Sequence, residues 1–273
     1  MFDQPAIKEL NKAQAIAAAA NAVTSQVETL VALPDDFKLH DLETYLALRR
    51  RARGVMSTES LPDFAHYVEA HAEEGASVFV DAESMAATAV LNLGTPDEPG
   101  HADNRAKLAL RKTAAYASLK AHANGLSLSQ AKAAEFLEDW QDIITCYDNT
   151  EQMRAAQAIA AVRDITIEAA RKVESQEQQL SASKSSLESV TAKSKHTLPT
   201  HIYFKCVPFS GLAERTFVLR LGIQTGNDKM GVVLRIVKQE AHDEEMAQEF
   251  ASKVSASLEK TEYPVLVGSY TKS

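Results

Sequence analysis

The sequence predicts an α+β protein in which antiparallel β-meanders are flanked by helices, with an alanine-rich helix near the N-terminus. Two observations support this fold class. Residues 5–32 combine many alanines with apolar residues at helical spacing, and alanine is the strongest helix former. Residues 202–238 show apolar and polar residues in alternation, interrupted by turn residues, and nothing in the chain alternates strand with helix as parallel βαβ units do.

The first part of the chain predicts short elements. Strands are expected at 37–40, 54–58, 77–80 and 87–93. The last two form a hairpin, and a loop of Gly, Pro and acidic residues follows over 94–100. A short helix capped by Asp41 is expected to end near Leu48, and Ser60 before Pro62 predicts the start of a second, over about 60–71.

The middle of the chain is harder to assign. Residues 105–116 alternate like a strand but contain alanines that suit a helix, and we favour the strand because it would pair with the preceding hairpin. Helices are expected over 130–147, capped by Ser127 or Ser129, and over 151–171. Residues 173–197 are rich in Ser, Gln, Glu and Lys, and their periodicity leaves a linker, an exposed helix and a hairpin all open.

The C-terminal part predicts a meander with strands at 202–207, 216–224 and 231–238. A helix with acidic residues at its start follows over 242–258, and a last strand is expected within 263–270. We therefore expect three regions: an acidic α+β region over 1–149, a helix and polar linker or exposed hairpin over 150–198, and a β-meander plus helix over 199–273. One continuous domain is the alternative.

Charge is unevenly distributed along the chain. The net charge is −8; residues 1–149 carry 22 acidic and 13 basic side chains, and residues 150–273 carry 15 and 16. Such an acidic protein is unlike a general coat for duplex DNA, so any polyanion would bind locally, and the second half is the better candidate. The plainer interpretation is a uniformly acidic surface that serves solubility.

Cysteine usage and hydropathy indicate a cytoplasmic protein. Cys146 and Cys206 are the two cysteines, sixty positions apart and outside any CxxC motif, so we expect buried free thiols and no zinc cage. No apolar run reaches the 18 residues that a membrane span needs, and the N-terminus lacks a secretory pattern. We therefore expect no membrane association.

Catalytic motifs are scarce. The sequence contains no phosphate-binding GxxxxGK[ST], no GxGxxG after a strand, no HExxH and no GxSxG, which excludes the easily identified nucleotide enzymes, zincins and serine hydrolases. The best metal-like cluster is Asp97, His101 and Asp103, whose oxygens and imidazole suit Mg²⁺ or Mn²⁺. The plainer interpretation is a loop made of the residues that loops require.

Two basic features are candidate binding surfaces. Arg49, Arg50, Arg51 and Arg53 form a compact run whose guanidinium groups suit phosphate or carboxylate, although a solvated helix end is the plainer explanation.

The second feature follows from strand parity. If the three C-terminal strands are neighbours, one outer face carries Tyr203, Lys205, Arg220 and Arg235, which we call the basic sheet face. An aromatic ring among cations on a sheet is typical of single-stranded nucleic-acid binding, with three phosphate contacts predicting a log–log salt slope of roughly −2. The alternative is an ordinary solvated or helix-covered face.

Several segments together resemble a known family. LPDDFKLHDLETYL, RARGVMSTESLPDFAHYVEAH, SVFVDAESMAATAVLNLG and PGHADNRAKLALRKTAAY occur in this order, followed by LSQAKAAEFLEDW and FKCVPFSGLAERTFVLRLGI. From about Leu33 to Leu258 the chain resembles the YfdQ-like proteins of bacteriophages and prophages, a family of unknown function. The resemblance implies a bacterial host cytoplasm and a role in phage DNA metabolism or host takeover, and it transfers no catalytic residue.

These observations favour a non-enzymatic protein without a cofactor that binds a macromolecule, either single-stranded nucleic acid or a host or phage protein. Self-assembly into a homo-oligomer is a variant of this hypothesis, because sheet edges and the alanine-rich helix can both make subunit contacts. The alternative is a metal-dependent enzyme acting on phosphodiesters or nucleotides, with Mg²⁺ or Mn²⁺ at Asp97, His101 and Asp103.

Overall fold

The computed structural model describes residues 4–25, 43–149, 151–165, 197–226, 229–259 and 261–271. The chain separates into two compact units, Met1–Ala52 and Arg53–Ser273. The first contains helix α1 (Gln4–Ser25) and a 3-10 turn at Glu43–Tyr45. Of the helices described, none is both long enough and apolar enough to cross a membrane.

The second unit contains the other described elements. Its helices are α2 (Leu61–His71), α3 (Ala114–His122), α4 (Gln130–Asp139), α5 (Ala155–Arg163) and α6 (Gln239–Ser257). Its first seven strands are β1 (Gly54–Thr58), β2 (Ser77–Asp81), β3 (Ala86–Val90), β4 (Asn104–Ala109), β5 (Asn124–Leu128), β6 (Ile144–Asp148) and β7 (Glu151–Met153). The last four are β8 (His201–Cys206), β9 (Arg215–Gly226), β10 (Lys229–Ile236) and β11 (Val265–Val267).

The strands form two sheets. The first has the order β1-β4-β3-β2-β11, in which the two outer pairs are parallel and the central pairs antiparallel. The second has the order β5-β10-β9-β8-β6-β7 and is antiparallel throughout. The second sheet therefore combines two segments of the chain, 124–153 and 201–236.

The inner face of the six-stranded sheet is built from aromatic and aliphatic side chains. Phe204 is fully buried and stacks on Phe136 of α4, with ring centroids 5.8 Å apart, while Trp140 meets it edge-on. Tyr116 of α3 packs against Phe217 of β9 at 5.3 Å. Helices therefore cover this face, and strand alternation directs the intervening residues to the opposite face.

A charged cluster fastens α6 to the start of β9. The Arg215 guanidinium donates to Glu245 Oε2 at 2.7 Å and to Glu249 Oε2 at 2.8 Å, and the Ala213 N–H donates to Glu249 Oε1 at 2.7 Å. Burial by itself raises the pKa of Glu249, but these hydrogen bonds and the charges of Arg215 and Lys253 outweigh it, so the pKa lies below its ordinary value.

The α+β class and most of the predicted elements are confirmed. Ser60 caps α2 by accepting from the Asp63 N–H, the hairpin of β2 and β3 forms, and the C-terminal strands pair as a meander. The last helix begins at Gln239, three residues earlier than predicted, and the final strand is shorter than predicted.

Three assignments in the middle of the chain are wrong. Residues 105–116 are a strand only through Ala109, because the Thr113 side chain accepts from the Tyr116 N–H and starts α3. The helix predicted over 130–147 ends at Asp139, and 144–148 pairs with β8 as a strand. The helix predicted over 151–171 starts only at Ala155, after the edge strand β7.

Some predicted elements fall on residues that the structure does not describe. The strand at 37–40, the cap at Asp41 and the polar stretch 173–197 lie outside those residues, apart from position 197. Where a short helix was predicted to end near Leu48, the structure has only the 3-10 turn at Glu43–Tyr45. The division into 1–149, 150–198 and 199–273 stays a prediction.

Adjacent residues of β8 give a direct test of the sheet's two faces. We expect Phe204→Ala to lower the free energy of unfolding by about 3–5 kcal/mol, because it empties a packed site. Tyr203→Ala should cost about 1 kcal/mol, since that ring is partly solvated. Urea denaturation of both variants measures the difference, and equal losses would contradict the assignment of faces.

The Glu249 cluster predicts a pH-dependent contribution to stability. Because its pKa is lowered on folding, ionised Glu249 stabilises the protein above about pH 4.5, and this contribution disappears as pH falls through the folded pKa. Glu249→Gln should therefore lower the free energy of unfolding at pH 7 by about 1–3 kcal/mol, and by less near pH 3.5. Glu245→Gln is the matched control, since that side chain is 63% exposed. A deficit independent of pH would contradict the explanation.

Candidate nucleic-acid interface

A single row of side chains crosses the outer face of the six-stranded sheet. Register pairing places one residue of each strand directly opposite the next, from β5 to β7. This cross-strand row consists of Asn124, Arg235, Arg220, His201, Tyr147 and Gln152. Its centre combines two arginines with two aromatic rings.

All four residues of the basic sheet face lie at outward positions of the sheet. Arg220 and Arg235 are register partners on neighbouring strands, and both are exposed. Tyr203, which is 38% exposed, lies two residues after His201 on β8. It is therefore the diagonal neighbour of Arg220 on β9. Among the described residues, no acidic side chain forms an ion pair with either arginine.

Two like charges directly opposite each other on a sheet repel and destabilise the pair. The described outward positions of β8, β9 and β10, over 201–205, 216–224 and 233–235, include no Asp or Glu that would offset this repulsion. The arginine pair therefore forms a local positive site on an acidic protein, suited to an anion with more than one charged group.

The aromatic part of the face consists of two tyrosines. Tyr147 of β6 meets Tyr203 edge-to-face, with ring centroids 5.1 Å apart and an interplanar angle of 69°. His201 lies between Tyr147 and Arg220 in the row, with its Nδ1 3.1 Å from Thr200 Oγ1. These rings form an angular platform beside the cations.

Lys205 is neutralised by a neighbour. Its Nζ lies 2.6 Å from Glu214 Oε2, in an ion pair with both side chains more than half exposed. Only Arg220 and Arg235 are then available as phosphate contacts, so the expected number falls from three to two.

The arginine run crosses the boundary between the two units. Arg49, Arg50 and Arg51 belong to the first unit and Arg53 to the second. The Arg50 N–H donates to Glu43 Oε1 at 3.1 Å. Arg49 and Arg50 are exposed, and the run is not an element of the cross-strand row.

The loop that contains Asp97, His101 and Asp103 is organised by its own hydrogen bonds. Buried Asn92 donates to Asp103 Oδ1 at 2.9 Å and accepts from the Asn104 N–H at 3.0 Å. Gly94 has φ +75°, and a Cβ there would lie 2.3 Å from the Glu98 carbonyl oxygen. Within the described residues, no three His, Cys, Asp or Glu side chains form a group that could hold a metal.

The cysteines are free and buried, as predicted. Burial raises the pKa of each thiol to about 11, so both are protonated at neutral pH and poorly nucleophilic. Cys146 lies in β6 and not in the helix that the sequence predicted.

Tyr147 and His201 were missed as site residues in the sequence. His201 shares the parity of Tyr203, so the alternation of β8 was a sufficient signal. Tyr147 was assigned to the end of a helix, although Ile144, Thr145 and Tyr147 are residues that favour strands.

Comparison with known proteins gives one family match. The sequence model described as an uncharacterized conserved protein (DUF2303) matches residues 4–270. No curated protein and no solved structure gives a significant match to the chain.

Proposed function

This chain belongs to the DUF2303 family of uncharacterized conserved proteins, and we propose that it is a non-enzymatic protein that binds single-stranded nucleic acid on the basic sheet face. The arrangement of Arg220 and Arg235 supports this proposal most strongly. They are exposed, opposite each other and unaccompanied by acids at the described outward positions of their strands.

The neighbouring rings favour a nucleic acid over another polyanion. Single-stranded chains are bound by cations that contact phosphates and by aromatic rings on which bases stack. Tyr203 and Tyr147 lie beside the arginine pair on the same face. The bases of a duplex are stacked inside it, so its phosphates could contact the arginines but its bases could not stack on the tyrosines.

The resemblance to YfdQ-like proteins supports a phage or prophage origin. We propose that the protein acts in the cytoplasm of the bacterial host, in phage DNA metabolism or host takeover. Recovery of the protein from induced cells, with and without nuclease treatment, separates a nucleic-acid partner from a host or phage protein. A partner retained after nuclease treatment would favour the protein alternative.

The arginine pair predicts a modest and salt-sensitive affinity. Two phosphate contacts imply a log–log salt slope of roughly −1.4, from about 0.7 per phosphate. We expect Arg220→Ala, Arg235→Ala to bring the slope close to zero and to weaken binding at low salt. Fluorescence anisotropy with a labelled oligothymidylate measures both quantities. Arg163→Ala, Lys253→Ala removes the same charge from the helices and should have little effect, so equal effects of the two pairs would contradict the proposal.

The ion pair of Lys205 predicts that binding can be strengthened. Glu214→Gln should release the lysine for a third contact, raise affinity several-fold at low salt and steepen the slope to roughly −2. Glu262→Gln changes the net charge equally at an exposed position before β11, on the other sheet, and is the control. The same gain in both variants would indicate a net-charge effect and not a local contact.

A further inference from the structure

The tyrosines of the six-stranded sheet divide the proposed site into two parts. Tyr147 and Tyr203 occupy β6 and β8, whereas Arg220 and Arg235 occupy β9 and β10. Since these strands are neighbours in the order β10-β9-β8-β6, the rings lie on one side of the site and the cations on the other. We infer that an unstacked base docks in the corner between Tyr147 and Tyr203 while its chain runs across the strands to Arg220 and Arg235. This inference rests on the proposed function.

The geometry of the two rings defines the corner. An edge-to-face pair presents the face of one ring beside the edge of the other, so a base that stacks on the first ring is bounded by the second. His201, the register partner of Tyr147 and two residues from Tyr203 on β8, adds a third ring. Val218 lies opposite Tyr203 on β9 and is half-buried, which gives the corner an apolar neighbour on the side of the arginines.

The length of the row limits the size of the ligand. Three spacings separate β10 from β6, and strands in a sheet lie about 4.8 Å apart, so the part of the row from Arg235 to Tyr147 is roughly 14 Å long. A stacked strand at about 3.4 Å per nucleotide would fit roughly four nucleotides in this distance. An unstacked chain is more extended, so fewer nucleotides span it. The ligand class is therefore a short single-stranded segment that carries bases, with its phosphates at β9 and β10.

Tyr147 distinguishes this inference from simple attraction of a polyanion. The arginines contact phosphates whether or not bases are present, but the corner contributes only when a base enters it. The chain must therefore prefer an oligonucleotide with bases over an abasic oligonucleotide of the same length and charge. The preference must depend on the ring of Tyr147.

The experiment measures anisotropy with labelled oligothymidylate and with an abasic oligomer of equal length, at low salt. We expect the wild type to bind the oligothymidylate at least fivefold more tightly, since stacking on one ring is worth about 1–3 kcal/mol. Tyr147→Ala should remove most of this preference and leave the affinity for the abasic oligomer within about twofold. That unchanged affinity also shows that the variant is folded.

Two controls keep the result specific. Tyr147→Phe retains the ring and should retain the preference, and Tyr45→Ala removes a tyrosine that is 85% exposed in the first unit and should change nothing. Equal wild-type affinity for the two oligomers, with Arg220→Ala, Arg235→Ala still impaired, would overturn the base-docking corner and leave the proposed function intact. Failure of the wild type to bind either oligomer would overturn both.

Discussion

A strand directs successive side chains to opposite faces of its sheet, and along β8 this constraint sets both the core and the candidate interface. Ile202, Phe204 and Cys206 are buried beneath the helices, so Tyr203 and Lys205 between them must face outward. A shift of one residue in register would bury the lysine and expose the phenylalanine, which is energetically prohibitive. The packing of Phe204 against α4 therefore holds the outer face in its arrangement, although it contributes no atom to that face.

The same constraint extends across the sheet through register. Arg220 lies opposite Arg235 on one side and opposite His201 on the other, because β9 is paired along its length with both neighbours. The resulting like-charge contact is unfavourable for folding, and the cluster of Arg215, Glu245 and Glu249 contrasts with it on the same strand. Near the helices Arg215 of β9 is paired with two carboxylates, whereas on the open face Arg220 lies opposite a second arginine. This difference between two arginines of one strand is the reason for proposing Arg220 as a contact for an external anion.

The parts of this fold that depend on interactions between residues close in sequence were predictable, and those that depend on distant residues were not. Ser60 and Ser129 cap helices through bonds three residues away, and both caps were predictable. The parity of β8, β9 and β10 was likewise predictable, and with it the shared face of Tyr203, Arg220 and Arg235. For β6 the local signal was incomplete. Ile144, Thr145 and Tyr147 favour strands, but the pairing with β8 that fixes the strand joins residues more than fifty positions apart. The outward position of Tyr147 therefore did not follow from the sequence, and neither did the Lys205–Glu214 pair, which depends on a loop conformation.

The balance of charge on this face argues for a weak, selective ligand contact and against a strong one. Two cations contribute little against a net charge of −8, and salt screens such exposed contacts within about 10 Å at 0.1 M ionic strength. Salt does not weaken stacking on the rings in this way, because stacking depends on contact and desolvation. If the face binds a single strand as proposed, affinity that survives at moderate salt would come from Tyr147 and Tyr203, and the arginines would chiefly place the chain beside them. The acidic remainder of the protein repels every polyanion alike, so in the proposed interface an accessible base is what would separate a bound ligand from an excluded one.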